Sequence, residues 1–350
     1  VGEEIQRLQG GGIDVVVTGL PSLRDSNPAY SAFWRMALRW MGTGGPGWLP
    51  NFLIPTGPKV TARSLLKVHN INAKHRKLIV TDRGCLISSA NPHDGSSFHS
   101  NIAFFSTGPV CGDILASERA VASFSGGEVK DWPKFNATWP GRGGGARPAG
   151  SSSGEGTVQL ATEGKILAAL LNDFGVAGQG DRIDLAMFYL SHRRVVEALV
   201  NAHSRGASVR LVLDPNKDAF GRQKNGIPNR QVARELVTRS GGGIQVRWYD
   251  THGEQFHTKL AMVTRGDSVV VLGGSANLTR RNIGDFNLEA DLRFSLPRGD
   301  PLARSVGDYF ERVFGNQGAE HTLPFEAYRD DSLLKRIRYR LEEFTGFCTY

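Results

Sequence analysis

The sequence predicts an α/β protein with a mixed or parallel sheet in each of two similar halves, and three observations predict it. His-x-Lys, then an apolar run, then Ser-Ala-Asn occurs twice, in NAKHRKLIVTDRGCLISSAN (Asn72–Asn91) and in QFHTKLAMVTRGDSVVVLGGSAN (Gln255–Asn277). Short β-branched runs alternate with stretches of helical period, as strand–helix–strand units do. The first twenty residues, VGEEIQRLQGGGIDVVVTGL, align with Val195–Asp214 without a gap, Ile5 on Leu199, Gly12 on Gly206 and IDVVV on ASVRL. Such self-similarity marks an internal repeat.

The second half supplies the template. DRIDLAMFYLSHRRVVEALVNAHSRGASVRLVLD (Asp181–Asp214) reads as strand, amphipathic helix, Gly turn and strand. Val195, Val196, Leu199 and Ala202 fall on one helical stripe, Gly206 closes the helix, and SVRLVL is a β-rich run. By alignment the chain begins partway into the first repeat's helix. A strand equivalent to RIDLAMFYL is then missing upstream, and residues 1–8 are expected to be poorly held. KLIVTD (Lys77–Asp82) and KLAMVT (Lys259–Thr264) read as strands, each followed by a second strand, CLISSAN and VVVLGGSAN. Between the halves, WPGRGGGARPAGSSSGEG (Trp139–Gly156) has the composition of a flexible linker. The expected division is therefore 1–138, a linker over 139–156, and 157–350.

Composition bounds the partners. The chain has 350 residues, 40 % of them hydrophobic and 22 % charged, which is an ordinary globular balance with ample length for a core. No apolar run approaches the ~18 residues of a membrane span, so a soluble or peripheral protein is expected. A start on Val implies a processed segment, as in an exported protein, or an excerpt. Cys85, Cys111 and Cys348 cannot all pair with one another and show no metal-like spacing. A net charge of +8 favours anionic partners such as nucleic acid, an acidic membrane surface or phosphate substrates.

The repeated motif points to phosphate chemistry. Residues two apart on a strand share a face, so His75 and Lys77 point one way, as do His257 and Lys259. Ser89 and Asn91, then Ser275 and Asn277, follow on the adjacent strands. A lysine is a compact cation for phosphodiester oxygens, and Ser and Asn add hydrogen bonds where charge builds in the transition state. Of two histidines, one can attack phosphorus and the other protonate the leaving oxygen. Glu289 in FNLEADL follows His257, and Asn101 in FHSNIAF follows His75. A carboxylate beside an imidazole favours imidazolium, so Glu289 is expected to serve His257 as acid. Asn101 is expected to orient His75 as nucleophile.

These residues resemble the signature of the phospholipase D superfamily, His-x-Lys, an Asp after four residues, then Gly-Ser and Asn. The first copy matches as His75, Lys77, Asp82, Ser89 and Asn91, with Ser88 where Gly is usual. The second matches as His257, Lys259, Gly274, Ser275 and Asn277, with Thr264 at the Asp position. The resemblance implies two α-β-α halves related by a pseudo-twofold axis, sharing one intramolecular active site in a monomer. It implies a phosphohistidine intermediate, neither metal nor cofactor, and His75 as nucleophile. Asp82, like Ser89, Asn101 and Ser275, is then a supporting residue, and Thr264 a tolerated replacement.

The substrate turns on RWMGTGGPGWLPNFLIP (Arg39–Pro55), where Trp40, Trp48 and Phe52 either meet a lipid interface or fold back as core. No aromatics are spaced along a basic groove to stack bases. The expected substrate is thus a phospholipid on an anionic membrane surface, with a nuclease on single-stranded nucleic acid as the alternative. A non-catalytic binder is the third reading, opposed by intact His, Lys and Asn in both copies. His93 and His99 are expected to line the pocket or sit on a loop, GTGGPG lacks the Lys of a P-loop, and RRN and KRIRYR (Lys335–Arg340) are basic runs without an assigned role.

Overall fold

The computed structural model describes residues 2–19, 23, 27–37, 47–50, 59–61, 72–132, 156–219 and 222–345. Two sheets organise these. The first contains β1 (Leu78–Val80), β2 (Cys85–Ser88) and β3 (Ala103–Ser106), paired antiparallel throughout. The second has eight strands: β4 (Thr157–Thr162), β5 (Arg182–Met187), β6 (Ser208–Leu213), β9 (Gln245–Tyr249), β10 (Lys259–Arg265), β11 (Ser268–Gly274), β12 (Ala290–Pro297) and β13 (Thr322–Pro324). Their order is β13-β9-β6-β5-β10-β11-β12-β4. Two further short strands, β7 (Asp218–Ala219) and β8 (Arg222–Gln223), pair antiparallel apart from these sheets.

The eight-stranded sheet is mixed, as the sequence predicts. β5, β6 and β9 run parallel and the remaining pairs antiparallel. β5 and β10 are almost wholly buried, the signature of strands covered on both faces. The helix Arg193–Ser204 covers one face with Val195, Val196, Leu199, Val200 and Ala202, each such buried aliphatic side chain larger than Ala contributing roughly 1.5–3 kcal/mol. Gly206, at φ 95°, ends the connection in the left-handed region. The helix Pro301–Phe314, capped by Asp300 on the Leu302 amide, carries Ala303, Val306 and Phe310 onto the other face.

The smaller sheet packs against this same second face. Cys85, Ile87 and Phe104 share one core cluster with Leu260, Val271 and Phe294, and the rings of Phe104 and Phe294 lie 5.1 Å apart. A disulfide joins Cys85 of β2 to Cys111 at the start of the helix Val110–Phe124. Cys348 lies outside the described residues.

The first half departs from expectation. IDVVV forms no strand, and the described part of this half's sheet is antiparallel, neither mixed nor parallel. A strand needs a hydrogen-bonded neighbour. Here a groove of about 290 Å³ separates Asp14, Val16 and Thr18 from Leu78 and Val80 of β1, where the C-terminal sheet has β5. The helix Gly2–Gly10 forms, with described side chains exposed or half-exposed. The linker lies almost wholly outside the described residues, and β4, which follows it, closes the edge of the large sheet. Among the described residues no helix is long and apolar enough to cross a membrane.

Candidate active site

The two motif copies arrive at one place by matching hydrogen bonds. β10 and β11 pair with Leu260 opposite Gly273, which sets His257 and Lys259 beside Ser275. β11 and β12 pair with Gly274 opposite Asp291, which sets Glu289 beside the same serine. The Ser275 amide donates to Ala290 O at 3.1 Å, and the Ala290 amide donates back to Ser275 Oγ at 3.0 Å. In the first copy the Ser89 amide donates to Ile102 O and the Ile102 amide to Ser89 Oγ, both at 2.9 Å. Lys77 Nζ donates to His75 O at 2.7 Å, and Lys259 Nζ to His257 O at 2.9 Å.

The copies also reach across to one another. The Leu288 amide donates to Ala73 O at 2.9 Å and the His75 amide to Leu288 O at 2.8 Å. Reciprocally, the Ser100 amide donates to Gln255 O at 3.0 Å. These bridges carry the residue behind each ring to the opposite copy. His75 Nδ1 donates to the Glu289 carboxylate at 2.9 Å, and His257 Nδ1 donates to Asn101 Oδ1 at 3.0 Å.

This crossing corrects the pairing expected from the sequence, in which Glu289 served His257 and Asn101 served His75. Glu289 follows His257 along the chain, but it sits at the head of β12 beside the incoming segment 73–75. Both acceptors are held from behind. Ser275 Oγ donates to Glu289 at 2.6 Å, as does the Asn282 amide nitrogen, and Ser89 Oγ donates to Asn101 Oδ1 at 3.1 Å. With each Nδ1 carrying a proton, both rings keep Nε2 for a substrate.

Burial sets the charges. Lys77 is lowered to about 8 by desolvation, against the pull of Glu289 and Asp291. Lys259, fully buried, is held well below its ordinary value by desolvation and by Lys77, and its ammonium lies 5.2 Å from the Phe188 ring centre. His257 is likewise held well down, by desolvation, then by Lys259, Lys77 and His75. Burial alone would raise the Glu289 carboxyl, but the charge and hydrogen bond of His75, with Lys77 and Ser275, outweigh it and keep it below its usual range.

Several residues the motif reading passed over shape this site. Asp214 is pushed up to about 7 by burial, although it accepts from the amides of Phe256 (2.8 Å) and Asn216 (2.6 Å). It fixes the chain just before His257, and its place at the end of SVRLVLD was the available signal. Asp291, two residues after Glu289 on the same strand face, is pushed up to about 8 by burial and accepts from the Ala276 amide at 3.0 Å. A Cβ at Gly274 would come within 2.5 Å of Ala290 O and 2.6 Å of the Asp291 carboxylate. In the first copy Ser88 stands opposite Ala103, which carries no carboxylate. Phe188 lies 4.9 Å from His257 and His99 lies 6.1 Å from it, ring to ring. His99 Nδ1 accepts from the Gln255 amide, whereas His93 caps the short turn Asp94–Phe98.

Asp82 and Thr264 are not brought to this site. Asp82 is exposed in the turn joining β1 to β2, a turn held by Thr81 on Gly84 O, so it supports nothing at the site. Seven residues of extended chain, roughly 23 Å, separate it from His75. Thr264 is buried on β10 at the equivalent remove. Asn277 is buried with Oδ1 unpaired among the described protein atoms, while Asn91 is half-buried. Trp48 is exposed, its amide on Val60 O; Trp40 and Phe52 lie outside the described residues.

Comparison with known proteins supplies a family context. Residues 174–314 match the family described as cardiolipin synthase, PLD-like domain. Among solved structures the chain is similar to Nuc, a phospholipase D family member from Salmonella typhimurium, at 18 % identity and TM-score 0.37, covering 49 % of this chain and 98 % of that one. It is also similar to phosphatidylserine synthase from Haemophilus influenzae, at 13 % identity and TM-score 0.47, covering 78 % and 69 %. No curated protein matches.

Proposed function

We propose that this chain, whose residues 174–314 match a PLD-like domain, is a phosphodiesterase of the phospholipase D superfamily that cleaves or transfers the phosphatidyl group of phospholipids through a phosphohistidine. The observation that carries the reading is the pair of imidazoles with Nδ1 anchored and Nε2 free, flanked by Lys77 and Lys259. In this reading the two similar halves share the one site.

His75 Nε2 forms the bond to phosphorus as the bond from phosphorus to the head-group oxygen breaks, and that oxygen takes the proton carried by His257 Nε2. Water, or an alcohol in a transfer reaction, then gives its proton to His257 while its oxygen attacks phosphorus. The P–N bond breaks and His75 is restored. His75 keeps the nucleophile's role on a different ground from the sequence argument. A phosphorylated ring with a proton on Nδ1 is cationic, and Glu289 supplies the opposing charge directly behind it. His257, an intrinsically weak base here, yields its proton readily once the substrate's anionic phosphate has promoted its protonation. Lys77 and Lys259 hold the non-bridging oxygens, with Asn91 and Asn277 as neutral partners.

The lipid reading rests on the basic, partly apolar surface and the exposed Trp48. The test is a side-by-side assay on phosphatidylcholine vesicles, phosphatidylglycerol vesicles and single-stranded DNA, with His75→Ala as control. Release of a head group by the wild type alone is expected. DNA cleavage without lipid turnover would transfer the assignment to a nuclease.

A further inference from the structure

The helix Leu333–Thr345 is anchored by one narrow face. Tyr339 and Glu343 are its buried residues. Tyr339 Oη donates to Ser191 O at 3.1 Å, and Glu343 accepts from Ser191 Oγ at 2.6 Å and from the Arg280 amide at 3.2 Å. Turned away from that face, Leu333, Leu334, Ile337, Leu341 and Phe344 are all exposed, Leu334 at 80 % and Phe344 at 82 %. At helical spacing these five fall within an arc of about 100°. A continuous apolar stripe of this kind marks a partner surface, unlike apolar residues scattered singly.

The charge around the stripe selects the partner. The helix's other exposed residues, Arg336, Arg338 and Arg340, are all cationic; Arg336 and Arg340 border one side of the arc and Arg338 the other. Across a groove of about 490 Å³ beside the stripe stand Arg234 and Arg239, with Glu235 as the one carboxylate of its described lining. Several of these arginines pair with Glu or Asp at the surface, Arg338 with Glu342 and Arg239 with Glu197. Such exposed pairs are weak and exchangeable for lipid phosphates. An apolar arc rimmed by arginines fits the boundary of an anionic bilayer, where acyl chains meet phosphate head groups.

We propose that this helix lies in the surface of an anionic phospholipid membrane and anchors the chain there. The anchor is tied to the candidate site, since Arg280 follows Asn277 by three residues and Leu278 bridges to Leu190, next to Ser191. Its use in catalysis rests on the lipid reading above, but membrane binding is measured without turnover.

The test is flotation of the full chain with phosphatidylcholine vesicles, with and without phosphatidylglycerol. Wild type is compared with Leu334→Asp/Phe344→Asp and Arg336→Glu/Arg338→Glu, each with a thermal melt to verify folding. Wild type is expected to float with the phosphatidylglycerol vesicles. The apolar pair is expected to lose at least about tenfold in partition, and the arginine pair about as much. Both variants are expected to hydrolyse a soluble diester, bis(p-nitrophenyl) phosphate, at the wild-type rate. Absence of that hydrolysis in the wild type counts against the phosphodiesterase reading, and unchanged flotation of the variants overturns the anchor. A dimer in sedimentation, abolished by the apolar pair with no vesicle binding, would also overturn it and assign the stripe to a second copy.

Discussion

His75 and Glu289, 214 residues apart in sequence, are joined through Nδ1 and the carboxylate at 2.9 Å. Glu289→Gln leaves an acceptor for the ring but removes the charge, and is expected to lower kcat by roughly two orders of magnitude. Proton NMR should show the Nδ1–H resonance of His75, bonded to the Glu289 carboxylate, moving in this variant while that of His257 stays. Movement at His257 instead would restore the uncrossed pairing.

The second prediction concerns pH. Lys77 is charged below a pKa of about 8 and neutral above it, so the phosphate oxygens lose a cation as pH climbs through that value. kcat/KM on a soluble diester is expected to decline above pH 8. Lys77→Arg, which keeps its charge, should carry the decline to higher pH. A wild-type profile flat to pH 10 would contradict this role.

Asp291 predicts a stability effect with a definite sign. Its folded pKa of about 8 lies above the ordinary carboxyl value, so the folded chain holds the proton more tightly than the unfolded one. Stability from this group is full below the ordinary carboxyl value and is lost as pH rises toward 8. Asp291→Asn removes that loss, and its melting temperature at pH 9 is expected to exceed the wild type's by roughly 2–4 °C.

The signature's Asp position separates motif from mechanism. Asp82→Ala, in an exposed turn, is expected to change kcat less than about twofold. Thr264→Asp, which would complete the second signature, places a carboxylate at a buried position on β10. It is expected to destabilise the chain by roughly 2–4 kcal/mol in urea unfolding.

The sequence carried the elements well where the period was unambiguous. SVRLVL is β6 residue for residue, and the stripe Val195, Val196, Leu199, Ala202 is the buried face of the predicted helix. IDVVV failed because pairing, not propensity, makes a strand, and the described residues supply it no neighbour. The site's membership was legible because His-x-Lys alternation fixes which side chains share a face. Its wiring was not. The bonds from Leu288 to Ala73 and from Ser100 to Gln255 carry Glu289 and Asn101 across to the opposite copy, and an alignment of one half on the other holds no trace of that exchange. Asp214 and Asp291 were hidden for a related reason, since a carboxylate's burial depends on strands distant in sequence.

The most direct test is to trap the intermediate. His257→Ala, incubated with a phosphodiester labelled on phosphorus and quenched at alkaline pH, is expected to carry the label on His75, located by peptide mass spectrometry. His75→Ala is expected to carry none. Label on His257 in the His75→Ala variant, or turnover with neither ring modified, would contradict the account.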